Sequence, residues 1–178
     1  RRARDGDGER RRDVLLGDRA GPGRLLERTG PAVAPAFGAG QLNPGGLADI
    51  GCCSTPSLGD GDGDGDLDVL AGDDSGNFRL FENIGTATAP AFGAAQLNPF
   101  GLADIGYYSS PSLGDVDGDG DLDVLTGDGS GNFRLFENIG TATAPAFGAA
   151  QLNPFGLADI GTRSAPSLGD VDGDGDLD

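Results

Sequence analysis

Apolar positions along this chain come in short runs separated by glycine, asparagine and proline, and one period of the pattern predicts four extended segments. The first runs through Ser112-Leu113-Gly114, the second is Leu122 to Thr126, the third Asn132 to Asn138, and the fourth lies around Ala146 to Gln151. The second and third are joined by Gly127-Asp128-Gly129-Ser130-Gly131, a glycine-rich connection suited to a hairpin with a longer loop. In the third segment Phe133 and Leu135 fall on one face and Phe136 on the other. Apolar residues on both faces predict a sheet sandwiched between like sheets, not one with a wet face. The stretch Asn153 to Gly161 carries Asn-Pro and glycine turn signals and is expected to lead from one sheet to the next.

The pattern repeats. Gly72 to Gly106 and Gly127 to Gly161 are identical except that Asp74 becomes Gly129, which implies recent tandem duplication. Near the start, Asp13-Val14-Leu15-Leu16-Gly17-Asp18 matches Asp68-Val69-Leu70-Ala71-Gly72-Asp73 on the same frame. A period of about 55 residues points to propeller blades or another repeat array. The organisation expected is a degenerate first repeat over 1–59, repeats over 60–114 and 115–169, and the start of a fourth over 170–178. Three such periods are too few to close a propeller of about four to eight blades, so the fold class expected is all-β. It is an open partial β-propeller of about three tandem four-stranded antiparallel blades.

Each repeat is organised around an acidic loop. Asp115 to Asp123 reads DVDGDGDLD, with five aspartates in nine residues, and recurs as Asp60 to Asp68 and Asp170 to Asp178. Alternating carboxylates repel one another unless a cation sits among them. Calcium suits such a loop, because it takes about six to eight oxygen ligands at roughly 2.3–2.6 Å in flexible geometry. Side chains at positions one, three, five and nine, with the carbonyl of position seven, make the expected ligand set. These are Asp60, Asp62, Asp64 and Asp68 with the backbone of Asp66; Asp115, Asp117, Asp119 and Asp123 with that of Asp121; and Asp170, Asp172, Asp174 and Asp178 with that of Asp176. A worn copy offers Asp5, Asp7, Glu9 and Asp13, but Arg10 replaces the loop glycine and Arg11 an aspartate, so this site is expected to be the weakest. The last loop lacks a following strand to hold Asp178 and is expected to be weaker than the central one. An EF-hand is excluded, since position twelve is Ala71 or Thr126 where a bidentate Glu is required, and Val124-Leu125-Thr126-Gly127 is too short and β-branched for the helix that should follow.

Charge sharpens this picture. The formal net charge is −17, with no Lys and no His. Nine of the 12 Arg lie in residues 1–28 beside six acids, leaving three Arg against 23 acids in the remainder. Such a surface argues against nucleic acid and against an anionic membrane. Self-repulsion disfavours compaction, and bound divalent cations would relieve it. No run of eighteen apolar residues exists to span a bilayer, and no signal peptide is visible. The lack of Met and the ending on the last ligand of a loop lead us to expect a segment of a longer protein.

Catalytic groups are scarce. There is no His for a general base and no Lys for a Schiff base, and the carboxylates are better used on metal. Cys52 and Cys53 stand where the other repeats have Tyr107-Tyr108 and Thr162-Arg163; a position so tolerant is expected to be an exposed loop, and two cysteines are too few for zinc.

The run from Asp115 to Phe147, DVDGDGDLDVLTGDGSGNFRLFENIGTATAPAF, resembles the FG-GAP class of calcium-binding propeller repeats, and within it the VCBS-type repeats of large secreted bacterial proteins. Its most specific element is the aspartate loop followed at once by a strand ending in Gly72 or Gly127. The Gly-Ala-Pro of the integrin α-subunit relatives reads Gly127-Asp128-Gly129 here, so integrin-like ligand recognition does not carry over. The resemblance implies four-stranded antiparallel blades, calcium between the first two strands of each, and an extracellular setting. The function expected is a non-catalytic calcium-binding repeat module of a secreted or cell-surface protein, for adhesion or for recognition of a protein or carbohydrate. The alternative is an ancillary domain of an extracellular hydrolase or lyase, which sequence on either side would reveal.

Overall fold

A computed structural model describes residues 14–17, 23–29 and 34–178. Among these residues it holds three antiparallel sheets in series, and the only helical pieces among them are three single 3-10 turns at Pro44–Gly46, Pro99–Gly101 and Pro154–Gly156. The first sheet has strands β1 (Val14–Leu16), β2 (Arg24–Leu26) and β3 (Gln41–Leu42). The second has β4 (Thr55–Gly59), β5 (Asp68–Gly72), β6 (Phe78–Phe81) and β7 (Gln96–Leu97). The third repeats it with β8 (Ser110–Gly114), β9 (Asp123–Gly127), β10 (Phe133–Phe136) and β11 (Gln151–Leu152). Each four-stranded sheet is a plain meander, so each strand is hydrogen-bonded to its neighbour in sequence. The expected all-β series of open, propeller-like blades is what forms. The first sheet shows three strands among the described residues, where four were expected.

The sheets begin one strand earlier than a repeat counted from its aspartate loop, because β4 and β8 precede their loops. Both strands contain proline, Pro56 and Pro111, opposite Ala71 and Thr126. Proline is tolerated there because each of these strands is the edge of its sheet. The fourth segment differs from the expected continuous strand over Ala146 to Gln151. Phe147 bridges Asn138, and pairing resumes only at Gln151, opposite Leu135. Gly148 N–H still donates to Glu137 C=O at 2.9 Å, and the register slips by one residue between the two contacts, across Ala149-Ala150.

Stacking buries both faces of the central sheet. Leu70, Phe78 and Leu80 point toward the third sheet and meet Val124 and Phe136, with Leu102 and Ile105 of the connecting excursion closing the cluster. Phe78 and Phe136 make an edge-to-face pair with centroids 5.7 Å apart. Val69, Ala71 and Phe81 point the other way, to Leu47 and Leu15 of the first repeat. The same joint recurs in backbone hydrogen bonds. Phe92 N–H donates to Gly45 C=O and Phe147 N–H to Phe100 C=O, both at 2.7 Å. Along the inner edge, Leu113 N–H donates to Ser57 Oγ at 3.0 Å, and Leu168 N–H to Ser112 Oγ at 3.2 Å.

Candidate metal centre

The loops Asp60 to Asp68 and Asp115 to Asp123 each link the first strand of a sheet to the second, and glycine shapes them. In the loop before β5, Gly63 and Gly65 sit at φ 75° and 98°; in the loop before β9, Gly118 and Gly120 sit at 82° and 99°. These left-handed positions curl the chain so that the first and third side chains come back beside the ninth. One carboxylate oxygen from each of Asp60, Asp62 and Asp68 lies within 4.8 Å of the others, and the same holds for Asp115, Asp117 and Asp123 and for Asp170, Asp172 and Asp178. Two ligands on opposite sides of a calcium ion stand at most about 5.2 Å apart, from ligand distances of up to about 2.6 Å, so the spacing fits that ion.

The loop hydrogen bonds hold these carboxylates in place. Gly61 N–H donates to Asp68 Oδ2 and Asn83 N–H to Asp68 Oδ1, both at 2.8 Å. Asp123 receives Val116 N–H at 2.9 Å and Asn138 N–H at 2.8 Å in the same way. Asp178 keeps the first of these contacts, from Val171 N–H at 2.9 Å. Asp60 takes Gly65 N–H on Oδ2 at 3.1 Å, while its Oδ1 is buried without a hydrogen-bond partner. A buried orphan acceptor is costly unless a ligand satisfies it. Burial also pushes the Asp68 carboxyl up to about 6, against the pull of its two N–H donors and with the help of the Asp62 and Asp64 charges. Asp123 is raised for the same first reason, with Asp117 and Asp119 adding to it, and Asp62 is raised mainly by burial. A cation among these groups would relieve each of these costs. The donor set, oxygen only and carboxylate-rich, is that of a hard divalent ion.

The structure gathers positions one, three and nine of each loop. Position five lies outside the group: Asp64 Oδ1 accepts Asp66 N–H at 2.8 Å, Asp119 Oδ1 accepts Asp121 N–H at 2.9 Å, and Asp174 Oδ1 accepts Asp176 N–H at 3.0 Å. The carboxylates of Asp66, Asp121 and Asp176 are likewise outside it, their residues having been expected to offer only a backbone carbonyl. Asp5, Asp7, Glu9 and Asp13 lie outside the described residues. Two supporting residues escaped the sequence reading. Asn83 and Asn138, both buried, orient the ninth-position carboxylate by their N–H, and their side-chain oxygens accept Gly85 and Ala91 or Gly140 and Ala146 N–H groups. Their fixed offset from Asp68 and Asp123 was the available signal.

The tolerant pair of positions forms a stripe along one rim. Arg163 donates to the Tyr108 hydroxyl at 2.7 Å with its guanidinium 4.1 Å from the ring centroid, and Cys53 Sγ stands 3.9 Å from the same hydroxyl. The expectation of an exposed loop holds for Cys52, Tyr107, Thr162 and Arg163, whereas Cys53 and Tyr108 are half-buried by this stacking.

Stacked four-stranded meanders with an acidic loop on each define a propeller-like repeat module. A family model described as FG-GAP-like repeat matches residues 60–126 and 115–178, and the chain belongs to that family. No curated protein and no solved structure matches it. Among the described residues no helix is long and apolar enough to cross a membrane.

Proposed function

We propose that this chain is a non-catalytic, calcium-stabilised recognition module of a secreted or cell-surface protein, akin to the VCBS-type repeats, with a protein or carbohydrate as its ligand. The observation that carries the calcium reading is the buried, unpartnered Oδ1 of Asp60 beside the Asp62 and Asp68 carboxylates, an arrangement that costs free energy until a cation enters. Asp60, Asp62 and Asp68 would hold the ion in one loop, Asp115, Asp117 and Asp123 in the next, and Asp170, Asp172 and Asp178 in the last. Positions five and seven would complete each shell. The ion's part is structural: it neutralises the cluster and ties the turn to the second strand. Family membership supports the repeat-module part of the reading, and the absence of His and Lys from the chain supports its non-catalytic part.

Calorimetric titration tests the proposal. Calcium is expected to bind at about 10⁻⁴ to 10⁻³ M per site, the range of extracellular modules. Asp117→Asn should remove or weaken one site, and Asp119→Ala should lower affinity at the same one, while Glu9→Ala changes little. Binding by Asp117→Asn equal to that of the parent chain would overturn the assignment.

A further inference from the structure

We propose that Cys52 and Cys53 join as a vicinal disulfide, a reversible redox site on the rim of the module beside Tyr108. The backbone corner that they occupy recurs along the chain. Gly51 and Cys53 take φ of 95° and 65°, Gly106 and Tyr108 take 101° and 51°, and Gly161 and Arg163 take 110° and 56°. In a strand consecutive side chains leave opposite faces, and in a helix neighbours in sequence do not face each other. At this corner, with its second residue left-handed, they meet. Tyr107 and Tyr108 stand edge to face with centroids 4.2 Å apart, and Cys52 Sγ and Cys53 Sγ lie 2.7 Å apart. The tyrosines approach with no bond to form, so the corner itself, and not sulfur chemistry, brings the two side chains together.

Other uses of the pair find no support. Two sulfurs are too few for a zinc site, and no cluster of metal-ligating groups among the described residues includes either cysteine. Cys52 is exposed and Cys53 half-buried, so a small oxidant reaches the first sulfur while the second stands ready to resolve it. The thiolate of Cys52 attacks one sulfur of a low-molecular-weight disulfide. The external S–S bond breaks, a mixed disulfide forms on Cys52, and one thiol leaves with the proton that Cys52 gave up. Cys53 Sγ then attacks Cys52 Sγ and expels the second thiol, which takes the Cys53 proton. Two electrons pass from the cysteine pair to the external disulfide, and the reverse sequence reopens the ring.

Such a ring is labile. Consecutive Cα atoms are about 3.8 Å apart across a trans peptide, closer than the roughly 4.4–6.8 Å that ordinary disulfides span. Strained or exposed disulfides are reduced more readily than structural ones and make up the regulatory class. An oxidising extracellular compartment keeps the ring closed, and a thiol pool opens it. Its state is felt in the next repeat. The Cys53 thiol donates to the Tyr108 hydroxyl at 3.9 Å, and that hydroxyl accepts from Arg163 at 2.7 Å. Closing the ring removes the thiol hydrogen, so the first contact of this line changes while Cys53, Tyr108 and Arg163 keep the same place in three successive repeats.

The 178-residue chain, equilibrated with glutathione disulfide and then freed of it, should show no thiol reactive toward a chromogenic reagent in denaturant. Its intact mass should be that of a single chain lower by two hydrogens than the reduced form, and reduced glutathione in native buffer should restore both thiols. Cys52→Ser and Cys53→Ser should instead hold glutathione as a stable adduct. Circular dichroism checks that these variants fold, as expected where the other repeats place Tyr, Thr or Arg. Emission gives a local readout, because the chain has 2 Tyr, both at this rim, and no Trp, and a neighbouring disulfide quenches tyrosine. Reduction should raise the emission of the parent chain and leave that of the double variant Cys52→Ser, Cys53→Ser unchanged. Calcium binding and ring closure are read separately, so either can fail alone. Two reactive thiols after equilibration, a stable glutathione adduct on the parent chain, a ring that native glutathione does not open, or an equal emission change in the double variant would each overturn the proposal.

Discussion

The second and third sheets differ by a handful of residues, yet one is a covered layer and the other an outer one. From Gly72 and from Gly127 the chain runs through 35 positions with a single change, so propensity, turn chemistry and loop composition are held constant. What differs is the neighbour. Val124, Phe136 and Phe147 press on the second sheet, and nothing equivalent within the described residues presses on the third. The excursion from Leu102 to Ile105 is thereby part of a core, whereas Leu157 to Ile160 is surface. Sheet formation in this chain is local, but core formation belongs to pairs of repeats, as expected of a nearest-neighbour array.

The largest effect should come from cutting the covered core at one repeat and not the other. Phe78→Ala removes a fully buried ring from between two sheets and should cost about 3–5 kcal/mol. Phe133→Ala, chemically the same change at the equivalent position, should cost roughly half of that or less, because its ring is already partly hydrated. Urea unfolding of the two variants, followed by near-ultraviolet dichroism, makes the comparison. Equal losses would mean that burial does not distinguish the repeats.

Protonation should separate covered from uncovered loops next. The Asp68 carboxyl is held at about 6 in the folded chain against an ordinary value of 3.8, so between these values the folded state binds more protons than the unfolded one. The sign follows from linkage: without metal, stability falls as pH rises from about 4 through 6, by on the order of 2 kcal/mol, and Asp123 acts in the same direction. Calcium needs the ionised carboxylates, so its affinity should fall as pH is lowered through about 6. Unfolding midpoints across this range in a chelator, compared with those of Asp68→Asn, measure the effect. A variant with the parent's full slope would show that the buried carboxyl is not its source.

Calcium itself should stabilise unequally. At a concentration tenfold above the dissociation constant each site contributes about 1.4 kcal/mol. Asp123 is anchored by two backbone donors and buried, while Asp178 has Val171 N–H as its one donor and is exposed. Removing position nine by Asp123→Asn should therefore lower the calcium-dependent rise in melting temperature more than Asp178→Asn does. The reverse order would place the stronger site in the last loop.

Much of this was legible in the sequence because each signal was short-range. The β-branched and aromatic runs at Val124 and Phe133 marked strands, Asn153-Pro154 marked a turn, and the alternation of Asp115, Asp117, Asp119 and Asp123 marked a carboxylate cluster, of which a single loop brings all but Asp119 together. The extra residues of β8 were hidden behind Pro111, which reads as a breaker until the strand is known to be an edge. The split of the fourth segment depends on how Phe147 reaches Asn138 across the sheet, which no window of local residues contains. The role of Asn138 was missed for a related reason, since its N–H acts from the far side of a hairpin on Asp123. The burial of Leu102 against the exposure of Leu157 could not have been read at all from two identical strings.

The smallest effect, and the sharpest test of neighbour control, is at the turn before each joint. Phe100 and Phe155 both sit at left-handed φ, 56° and 57°, which is unfavourable for a bulky residue, while the first repeat has Gly45 there at 61°. The backbone path is the same with either residue, because Gly45 C=O and Phe100 C=O each accept the next repeat's phenylalanine N–H at 2.7 Å. Phe155 is 71% exposed, so Phe155→Gly gives up little packing. It relieves strain of about 1 kcal/mol or more while adding roughly 0.5–1 kcal/mol of unfolded-state entropy, and the net should be a gain of a few tenths or no change. Phe100 packs against the buried cluster between the second and third sheets, so Phe100→Gly should destabilise by about 2 kcal/mol. Urea unfolding of the two variants gives this contrast. A loss at Phe155→Gly as large as that at Phe100→Gly would mean that the exposure of the ring does not set its contribution.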